Sequence, residues 1–398
     1  MTATASAPCA GRRGESLANN DRRPVYLNNA ATAWPRAPGV VEAVADALRT
    51  PPAHPGRSGG RTPDVAAECR RLLAGLLGVS TPERLVLTVH ATSALNLAIG
   101  GLDLRPGELV VTTVTEHNSV LRPLNHLQRD RGIRVTTVGL GEDGGLDVRA
   151  FEQALAEQPA LVVVNHASNV TGRVTEVGPL FARARAAGAV TLLDASQSLG
   201  HIPVHAPALH ADLVAFTGHK GLHGPPGTGG LYVTPGLELG QTFVGGTGVR
   251  SDLRLHPAEM PVRLEAGTPN LPALAGLAVA LRWGTTDGRR LNANLQRVAS
   301  RLRNGLRSLT GVTLFDDVPE APRTGVVSFA VEGWRVDDVG CALEESFGIA
   351  CRTGLHCAPL IHRAIGSAPH GTVRLSVSGF NSDQDVDAAL EAVERIAR

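Results

Sequence analysis

Lys220 is the only lysine in a chain of 398 residues that contains 38 Lys and Arg residues in total. A lysine amine forms a Schiff base with an aldehyde, whereas an arginine guanidinium stays protonated and does not. Lys220 follows the apolar run 213–216 and precedes the Gly- and Pro-rich segment 225–230, so a buried strand would deliver it to a loop. A GC-rich genome that favours arginine would also leave one lysine by accident, but this placement favours a Schiff-base site.

A Schiff-base lysine indicates pyridoxal phosphate, a cofactor whose ring nitrogen must be paired with a buried carboxylate. Asp194 ends the apolar run 190–193 and precedes Lys220 in the chain. It would pair with that nitrogen or, equally, cap a helix that follows. Gln197 would reach the ring oxygen or complete a capping box. Both residues are predicted cofactor ligands with a structural alternative.

The phosphate of the cofactor needs backbone N–H groups, which the first turn of a helix supplies. Thr92 and Ser93 lie where a strand predicted at 84–89 leads into a helix, and they add two hydroxyl groups. Thr-Ser is also a common helix cap, so the pattern fits both uses. His117, in a loop after the strand predicted at 108–114, would stack on the cofactor ring or have a structural role only.

A second reactive group is predicted in the segment Arg-Thr-Gly-Leu-His-Cys-Ala-Pro at 352–359. Gly and Pro indicate a loop, which would leave Cys357 accessible. A thiol beside His356 and near Arg352 would have a lowered pKa and act as a nucleophile. The alternative is a small buried hydrophobic residue, which is the role predicted for Cys351.

Short β-rich runs alternate with helical patterns from about residue 83 onward. Strands are predicted at 84–89, 108–114, 133–138, 160–165, 189–194, 212–216 and 230–234, and helices at 94–101, 119–131, 146–158 and 177–187. Apolar strands separated by helices indicate an α/β fold with a mostly parallel sheet covered on both faces. Ligands bind at the carboxyl edge of such a sheet, where the predicted site residues lie.

A smaller α+β region is predicted after the Pro- and Gly-rich stretch at 268–272. Its elements are helices at 274–283, 290–309, 337–347 and from 382, and strands at 312–315, 325–331, 349–352 and 372–377. We therefore expect a disordered tail at 1–22, a large cofactor-binding domain at 23–283, and a small C-terminal domain at 284–398 that carries the Cys357 loop.

Composition excludes several classes of partner. The net charge is +1 and no basic face is visible, so nucleic acid and membrane surfaces are not expected partners. The sequence has no apolar stretch long enough to span a bilayer. Five scattered cysteines in so long a chain indicate free thiols and a cytoplasmic location. No metal site is predicted.

With these residues placed, the chain resembles a cysteine desulfurase of the class V aminotransferase family, which are fold-type I pyridoxal-phosphate enzymes. The resemblance runs from Tyr-Leu-Asn-Asn-Ala-Ala-Thr at 26–32 to Arg374. It depends above all on Thr-Gly-His-Lys at 217–220 and on His-Cys-Ala at 356–358. The short Arg-x-Gly-x-His-Cys-Ala loop is similar to that of the branch that also contains selenocysteine lyases.

The resemblance implies a role for each matching residue. Lys220 would bear the cofactor, Asp194 would pair with its ring nitrogen, Gln197 with its ring oxygen, and His117 would stack on the ring. Thr92, Thr217 and His219 would hold the phosphate, with Ser93 beside them, and Thr268 would reach the phosphate of a partner subunit in a homodimer. Asn169 and Arg374 would bind the substrate carboxylate, and Arg352 and His356 would contact the substrate from the loop.

The implied reaction converts L-cysteine to L-alanine and leaves the sulfur on Cys357 as a persulfide for an acceptor protein. Three positions depart from the family pattern, where Asp is common at Asn28, His at Leu355 and Ser at Thr217. The departures at Asn28 and Leu355 leave open which substrate and which sulfur acceptor the protein uses. Alternatives are a selenocysteine lyase, a C–S lyase or epimerase of secondary metabolism, and a cofactor-binding protein that only docks partners. Retention of both Lys220 and Cys357 argues against the last.

Overall fold

The computed structural model describes residues 24–51, 64–315, 318 and 321–398, so the tail predicted at 1–22 lies outside the described residues. The strands are β1 (Val25–Tyr26), β2 (Leu85–Thr88), β3 (Leu109–Thr113), β4 (Arg134–Val138), β5 (Leu161–Asn165), β6 (Val190–Asp194), β7 (Leu213–Thr217), β8 (Gly229–Val233), β9 (Val312–Leu314), β10 (Val326–Val331), β11 (Ile349–Ala350), β12 (Arg352–Gly354) and β13 (Thr372–Ser376). The α-helices are α1 (Val40–Arg49), α2 (Val65–Leu77), α3 (Ala91–Gly101), α4 (Asn118–Arg131), α5 (Val148–Leu155), α6 (Val177–Ala186), α7 (Leu271–Ser308), α8 (Val336–Phe347), α9 (Pro359–Ala364) and α10 (Asp383–Ala397).

The central sheet has seven strands in the order β2-β8-β7-β6-β5-β3-β4. Its pairs are parallel except those of β8, which runs antiparallel to both β2 and β7. Successive side chains of a strand point to opposite faces, so Val162 packs in one core with α5 and α6 while Val163 packs in another with α3 and α4. Both faces are thus covered, which confirms the mostly parallel α/β fold.

The C-terminal region contains a four-stranded antiparallel sheet in the order β12-β13-β10-β9. A second, two-stranded sheet pairs β1 with β11 in parallel, so the start of the described chain belongs structurally to this region. The single strand predicted at 349–352 is wrong, because Ile349–Ala350 joins β1 whereas Arg352–Gly354 joins β13. The predicted run is divided at Cys351 because its two halves pair with strands of different sheets.

The prediction of two helices at 274–283 and 290–309 is also wrong, since α7 is one helix of 38 residues. Gly284, Gly288 and the polar residues between them indicate a turn, because each glycine costs a helix about 1 kcal/mol. The hydroxyls of Thr285 and Thr286 donate back to the carbonyls of Arg282 and Trp283, so these polar side chains are accommodated within the helix, which is held by packing at both ends. Its two ends are buried in the two main cores. The domain boundary predicted at 283/284 falls within this helix and stays a prediction.

Helices α1 and α2 and strand β1 precede the region in which elements were predicted, and both helices pack against α7. Within the described ranges, none of the helices is both long and apolar enough to cross a bilayer. The four described cysteines, Cys69, Cys341, Cys351 and Cys357, are free thiols.

Candidate active site

A cavity opens at the carboxyl edge of the central sheet. Asn165, Asp194 and Thr217 are the last residues of β5, β6 and β7, and all three line it. The other predicted residues that line this cavity are Thr92, His117, Asn169, Gln197, His219 and Lys220. Neighbouring parallel strands end at the same edge, so residues far apart in sequence meet there.

Lys220 follows β7 on a loop that is fixed at several points. The N–H of His223 donates to the carbonyl of Lys220 (2.8 Å), and Nδ1 of His219 lies 3.0 Å from Oγ1 of Thr32. The lysine amine makes no side-chain hydrogen bond or ion pair with the described residues. Burial lowers the pKa of Lys220 to about 8, against the opposing effect of Asp194. A large fraction of the amine is therefore neutral and nucleophilic near pH 8.

Asp194 is 2% exposed and uses one of its two carboxylate oxygens. Oδ1 accepts hydrogen bonds from the N–H (2.9 Å) and the hydroxyl of Ser196, whereas Oδ2 has no protein partner in the described part of the chain. No helix follows, because residues 196–198 form a turn and Leu199 makes an isolated bridge to Ile202. The alternative of a helix cap is therefore wrong for Asp194. Gln197 completes no capping box either, since its Nε2 donates to the carbonyl of Ala30 (2.9 Å).

Helix α3 begins at Ala91, three residues before the predicted start, because His90 caps it. Nδ1 of His90 accepts the N–H of Ser93 and lies 3.0 Å from its hydroxyl. Ser93 is thus bound to the cap, whereas Thr92 lines the cavity. Histidine is not a favoured N-cap, so the residue type at position 90 does not indicate this earlier start. His90, Ala91 and Thr92, at the N-terminus of α3, all line the cavity, and the N-terminus of a helix favours an anion.

His117 caps the N-terminus of α4, and its ring also lines the cavity. Nδ1 accepts the N–H of Ser119 (3.0 Å) and lies 2.8 Å from the Ser119 hydroxyl. Burial and the charge of Lys220 lower the pKa of His117. The imidazole is therefore neutral at physiological pH and presents an uncharged planar surface.

Glu116 is a buried carboxyl group that the sequence did not single out as a site residue. Strands β3 and β5 pair only over 110–111 and 161–162, and beyond this point they diverge. Oε1 of Glu116 spans the gap by accepting the N–H of Asn165 (2.8 Å) and the hydroxyl of Thr113 (2.8 Å). Oε2 is buried without a partner, and burial raises the pKa of Glu116 to about 8, with a further contribution from Asp194. Glu116 is therefore protonated at neutral pH.

Arg374 lies on β13 and is 1% exposed. Its Nη1 donates to the carbonyl of Asn169 (2.8 Å) and its Nη2 to Oδ1 of Asn28 (3.3 Å), while its Nε is buried without a partner. Nδ2 of Asn169 donates to the carbonyl of His356 (2.7 Å), and Oδ1 of Asn169 has no partner in the described ranges. Both predicted carboxylate ligands thus retain unused polar atoms.

The Cys357 loop is held in an unusual conformation. His356 and Cys357 are consecutive residues with φ of 49° and 60°, a left-handed conformation that costs a non-glycine residue about 1–2 kcal/mol. The loop is held there because its carbonyls accept hydrogen bonds from Asn169 and from the N–H of Asn118, which lies 2.7 Å from the Cys357 oxygen. The thiol is half-buried, and Nη2 of Arg352 lies 3.4 Å from its Sγ.

The imidazole of His356 makes no hydrogen bond to the Cys357 thiol in the described part of the chain, and its predicted contribution to the reactivity of that thiol stays a prediction. The ring is 2% exposed, and its Nε2 pairs with Oγ1 of Thr372 at 2.9 Å. Burial and the charge of Arg374 lower the pKa of His356, so the imidazole stays neutral. The cations near the thiol are the guanidinium groups of Arg352 and Arg374.

Cys357 lines a second cavity of about 470 Å³ between α3 and α4. Thr92, His117 and Ser119 line both this cavity and the one that contains Lys220. The thiol and the amine therefore lie in adjoining cavities separated by a few shared side chains.

The aminotransferase class-V family model matches residues 25–389. The chain belongs to this family. A probable cysteine desulfurase of Methanothermobacter thermautotrophicus is 33% identical over 383 residues, which are 94% of each chain. The cysteine desulfurase of Pectobacterium atrosepticum is 34% identical over 342 residues, 83% of this chain and 81% of that one.

Two solved structures are similar to this class-V aminotransferase over 94% of both chains. The apo structure of a cysteine desulfurase from Thermococcus onnurineus has a TM-score of 0.86 at 32% identity. The cysteine desulfurase CsdA of Escherichia coli, in an S-sulfonic acid form, has a TM-score of 0.84 at 28% identity. The predicted family and the predicted α/β architecture are confirmed.

Thr268 lies outside both cavities of this class-V protein. It is exposed on the loop that leads into α7, and it does not line the cavity of its own chain. Its predicted contact with the phosphate of a partner subunit stays a prediction.

Proposed function

We propose that this protein is a pyridoxal-phosphate-dependent cysteine desulfurase, which converts L-cysteine to L-alanine and takes the sulfur onto Cys357. The observation that carries the proposal is the placement of a low-pKa lysine and an arginine-paired thiol in adjoining cavities. The relatives and structures named above are themselves called cysteine desulfurases.

The unused polar groups of the first cavity fit the cofactor. Oδ2 of Asp194 would hold the ring nitrogen, and the amine of Lys220 would bind the aldehyde. The uncharged ring of His117 would lie against the cofactor ring, and Gln197 would reach its oxygen. The first turn of α3, with the hydroxyls of Thr92 and Thr217 and with His219, would hold the phosphate. When bound, pyridoxal phosphate supplies an electron sink that makes the Cα proton of an amino acid acidic.

The protein residues then bind and deprotonate the substrate. Arg374 would donate to the carboxylate of L-cysteine through its Nε, which has no partner among the described residues, and Asn169 through the second hydrogen of its Nδ2. The amine of Lys220, with its pKa lowered to about 8, removes the Cα proton. The neutral His117 and the protonated Glu116 add no charge that would compete for this proton.

The thiolate of Cys357, beside Arg352, attacks the sulfur of the substrate. A sulfur–sulfur bond forms and the carbon–sulfur bond breaks, with its electron pair left on the carbon fragment. That fragment takes up one proton at Cβ and regains one at Cα, for which Lys220 holds the proton it removed, and it leaves as L-alanine. The enzyme thiol and L-cysteine thus give a persulfide and L-alanine without an external oxidant. An acceptor protein with a thiol would then remove the sulfur from Cys357, and a reducing cytoplasm suits such chemistry.

We also propose a homodimer. The segment between β8 and α7 exposes several large apolar side chains, among them Phe243 (70% exposed), Val244 (61%) and Leu255 (81%). Exposed apolar groups concentrated in one segment indicate a protein interface. Thr268 lies on the same connection, so a second copy seated there would bring it toward the cofactor of its partner. Sedimentation of wild-type protein and of Phe243→Asp tests this interface.

The decisive experiment is an assay of the purified protein with L-cysteine and the cofactor. We expect as much L-alanine as transferred sulfur, which is either bound to the protein or released from it by an added thiol. The matched control is Cys357→Ser, which changes one atom of the side chain and should produce neither at a comparable rate. L-Selenocysteine as a second substrate separates a desulfurase from a selenocysteine lyase, because preference for selenium with no dependence on Cys357 would contradict the proposal.

A further inference from the structure

The hydroxyl of Thr32 lies at the centre of a hydrogen-bond cluster beside the Lys220 loop. Its Oγ1 is 3.0 Å from Nδ1 of His219, 3.0 Å from Nη2 of Arg36 and 3.3 Å from the carbonyl oxygen of His219. A hydroxyl group has one hydrogen to donate and two lone pairs that accept. A guanidinium only donates, so Arg36 occupies one lone pair. The hydrogen of Thr32 is left for one of the two atoms of His219.

The carbonyl oxygen of His219 already has two donors. It accepts hydrogen bonds from the N–H of Ala33 (2.9 Å) and from Nη1 of Arg36 (3.0 Å). These donors use both of its lone pairs, and both lie closer to it than the hydroxyl of Thr32. The hydroxyl therefore donates to Nδ1 of His219, which must be unprotonated to accept.

The state of Nδ1 determines what His219 offers to the cavity. Burial lowers the pKa of His219 to about 4, with further contributions from the charges of Lys220 and Arg36, so the ring is neutral at physiological pH. A neutral imidazole has one hydrogen, which is on Nε2 when Nδ1 accepts. Nε2 makes no hydrogen bond to the described residues, and His219 lines the cavity that contains Lys220. The ring thus keeps one donor for a ligand there.

We infer that Thr32 and Arg36 select the tautomer of His219 in which Nε2–H donates into the cavity, and that this donor binds the phosphate of the cofactor. The inference rests on the proposed function, which places a phosphate in this cavity. The opposite tautomer would turn a lone pair toward the phosphate oxygens and repel them. Thr32 and Arg36 are positioning residues, since both act through His219.

The fold holds these two residues without using the cavity. Arg36 also donates from Nη1 to the carbonyl of Gly224 (3.0 Å), so it joins both ends of the loop 219–224. The carbonyl of Thr32 accepts the hydroxyl of Tyr26 (2.9 Å). Neither Thr32 nor Arg36 is among the described residues that line the cavity. Their replacement therefore removes no direct contact with the cofactor.

The first test determines the tautomer directly by NMR of wild-type protein that contains isotopically labelled histidine. The chemical shift of each ring nitrogen distinguishes its protonated from its unprotonated state, and His219→Asn identifies the signals. Holoenzyme and protein stripped of cofactor are both measured, and the stripped protein decides, because a bound phosphate would itself favour Nε2–H. We expect a protonated Nε2 and an unprotonated Nδ1 from about pH 6 to about pH 8. Protonation of Nδ1, alone or with Nε2, would overturn the inference, and this measurement needs no variant of the cluster.

Variants then test how the tautomer is selected. Thr32→Val removes the donor to Nδ1 with little change of shape, whereas Thr32→Ser keeps it. Arg36→Met frees a lone pair of the His219 carbonyl, so the Thr32 hydroxyl can donate there instead. We expect both tautomers in Thr32→Val and Arg36→Met, and the wild-type tautomer in Thr32→Ser. Arg49→Met, which removes an exposed arginine from α1, is the control for Arg36→Met and should also keep it. An unchanged tautomer in both Thr32→Val and Arg36→Met would refute the selection.

Two ligands that differ by one phosphate test the consequence for binding. Pyridoxal phosphate and pyridoxal both attach through the aldehyde, and their visible absorbance reports attachment to Lys220. Thr32→Val should weaken pyridoxal phosphate about three- to tenfold more than pyridoxal, as expected for one neutral hydrogen bond, and Thr32→Ser should bind both as wild type does. Equal weakening of the two ligands would restrict Thr32 to stabilising the loop and contradict the inference. If wild-type protein showed the expected tautomer and bound pyridoxal phosphate but formed no L-alanine from L-cysteine, the proposed function would fail while the inference stood.

Discussion

Nη2 of Arg352 lies 3.4 Å from Sγ of Cys357, while the neighbouring His356 is turned away to Thr372. The thiol is thus paired with a cation that stays charged at every physiological pH. A histidine in this place would lose its charge near neutral pH. Arg352 therefore supports the thiolate without itself depending on pH.

Replacement of Arg352 by alanine should make Cys357 less reactive. Loss of a charge-assisted hydrogen bond of about 1.5–3 kcal/mol would destabilise the thiolate and slow its reaction about tenfold or more. The profile of the alkylation rate of Cys357 against pH measures this loss. Arg363→Ala, which removes an exposed arginine from the nearby helix α9, is the matched control and should leave the profile unchanged. Identical profiles for both variants would exclude the assigned role.

Lys220→Ala should abolish covalent attachment of the cofactor, because the chain has no other lysine. The wild-type protein should be yellow and should yield a peptide labelled at Lys220 after borohydride reduction. In wild type the rate of attachment should rise with pH and level off above about pH 8, since burial lowers the pKa of this amine and the neutral form reacts. Lys220→Arg keeps the charge and should also fail. A reducible adduct in either variant would refute the cofactor assignment.

Asp194→Ala should slow removal of the Cα proton on the order of 10³-fold, which corresponds to several kcal/mol of barrier. The ring nitrogen would lose the carboxylate that keeps it protonated, and cofactor binding should weaken as well. Asp194→Asn keeps the hydrogen bonds to Ser196 and should be almost as inactive. Exchange of the Cα proton with deuterated water measures the step. If Asp194→Asn exchanged the Cα proton at a rate within a few-fold of wild type, the role of Asp194 would be limited to stabilising the turn that follows β6.

Cys357→Ala should leave the protein folded and yellow, because the loop is held through backbone carbonyls and not through the thiol. It should still exchange the Cα proton of L-cysteine but form no persulfide and little L-alanine. Mass spectrometry of wild-type protein should locate one additional sulfur on Cys357. Cys351→Ala is the control, since burial raises the pKa of that thiol to about 11 and it should not react. Sulfur found on Cys351 instead, or full L-alanine production by Cys357→Ala, would favour a C–S lyase.

Glu116→Gln should be more stable than wild type at pH 8 but not at pH 4.5. Burial raises the pKa of Glu116 from 4.5 to about 8, so between these values the unfolded chain loses a proton that the folded protein keeps. The free energy of unfolding of the wild-type protein therefore falls by at most several kcal/mol between pH 4.5 and pH 8, and it levels off above pH 8. Glutamine cannot ionise and avoids this loss. Urea unfolding at both pH values measures the difference, with the exposed Glu345→Gln as control. If the stability of all three proteins changed equally between the two pH values, Glu116 would not be protonated in the folded protein.

The central sheet was predictable because its strands are buried on both faces and so consist of short apolar runs, as in 161–165. The placement of Lys220 and Asp194 at the carboxyl edge of the sheet was predictable because each is brought there by a buried apolar strand, and both line the same cavity. The start of α3 at Ala91 and the role of Glu116 were not, because they depend on a histidine cap and on two diverging strands. Those relationships are tertiary, and no local pattern indicates them.

The continuous helix α7 also limits how the protein can be divided or recombined. A cut at 283/284 would split α7 in the middle, and residues 25–26 would be separated from β11, their strand partner. The fragment up to 283 would keep both cores of the central sheet, whereas the fragment from 284 would lack Val25 and Leu27 of its own core. We therefore expect the C-terminal fragment to be insoluble unless it is produced together with the other. Exchange of gene segments between relatives should succeed only where α7 is inherited whole from one parent.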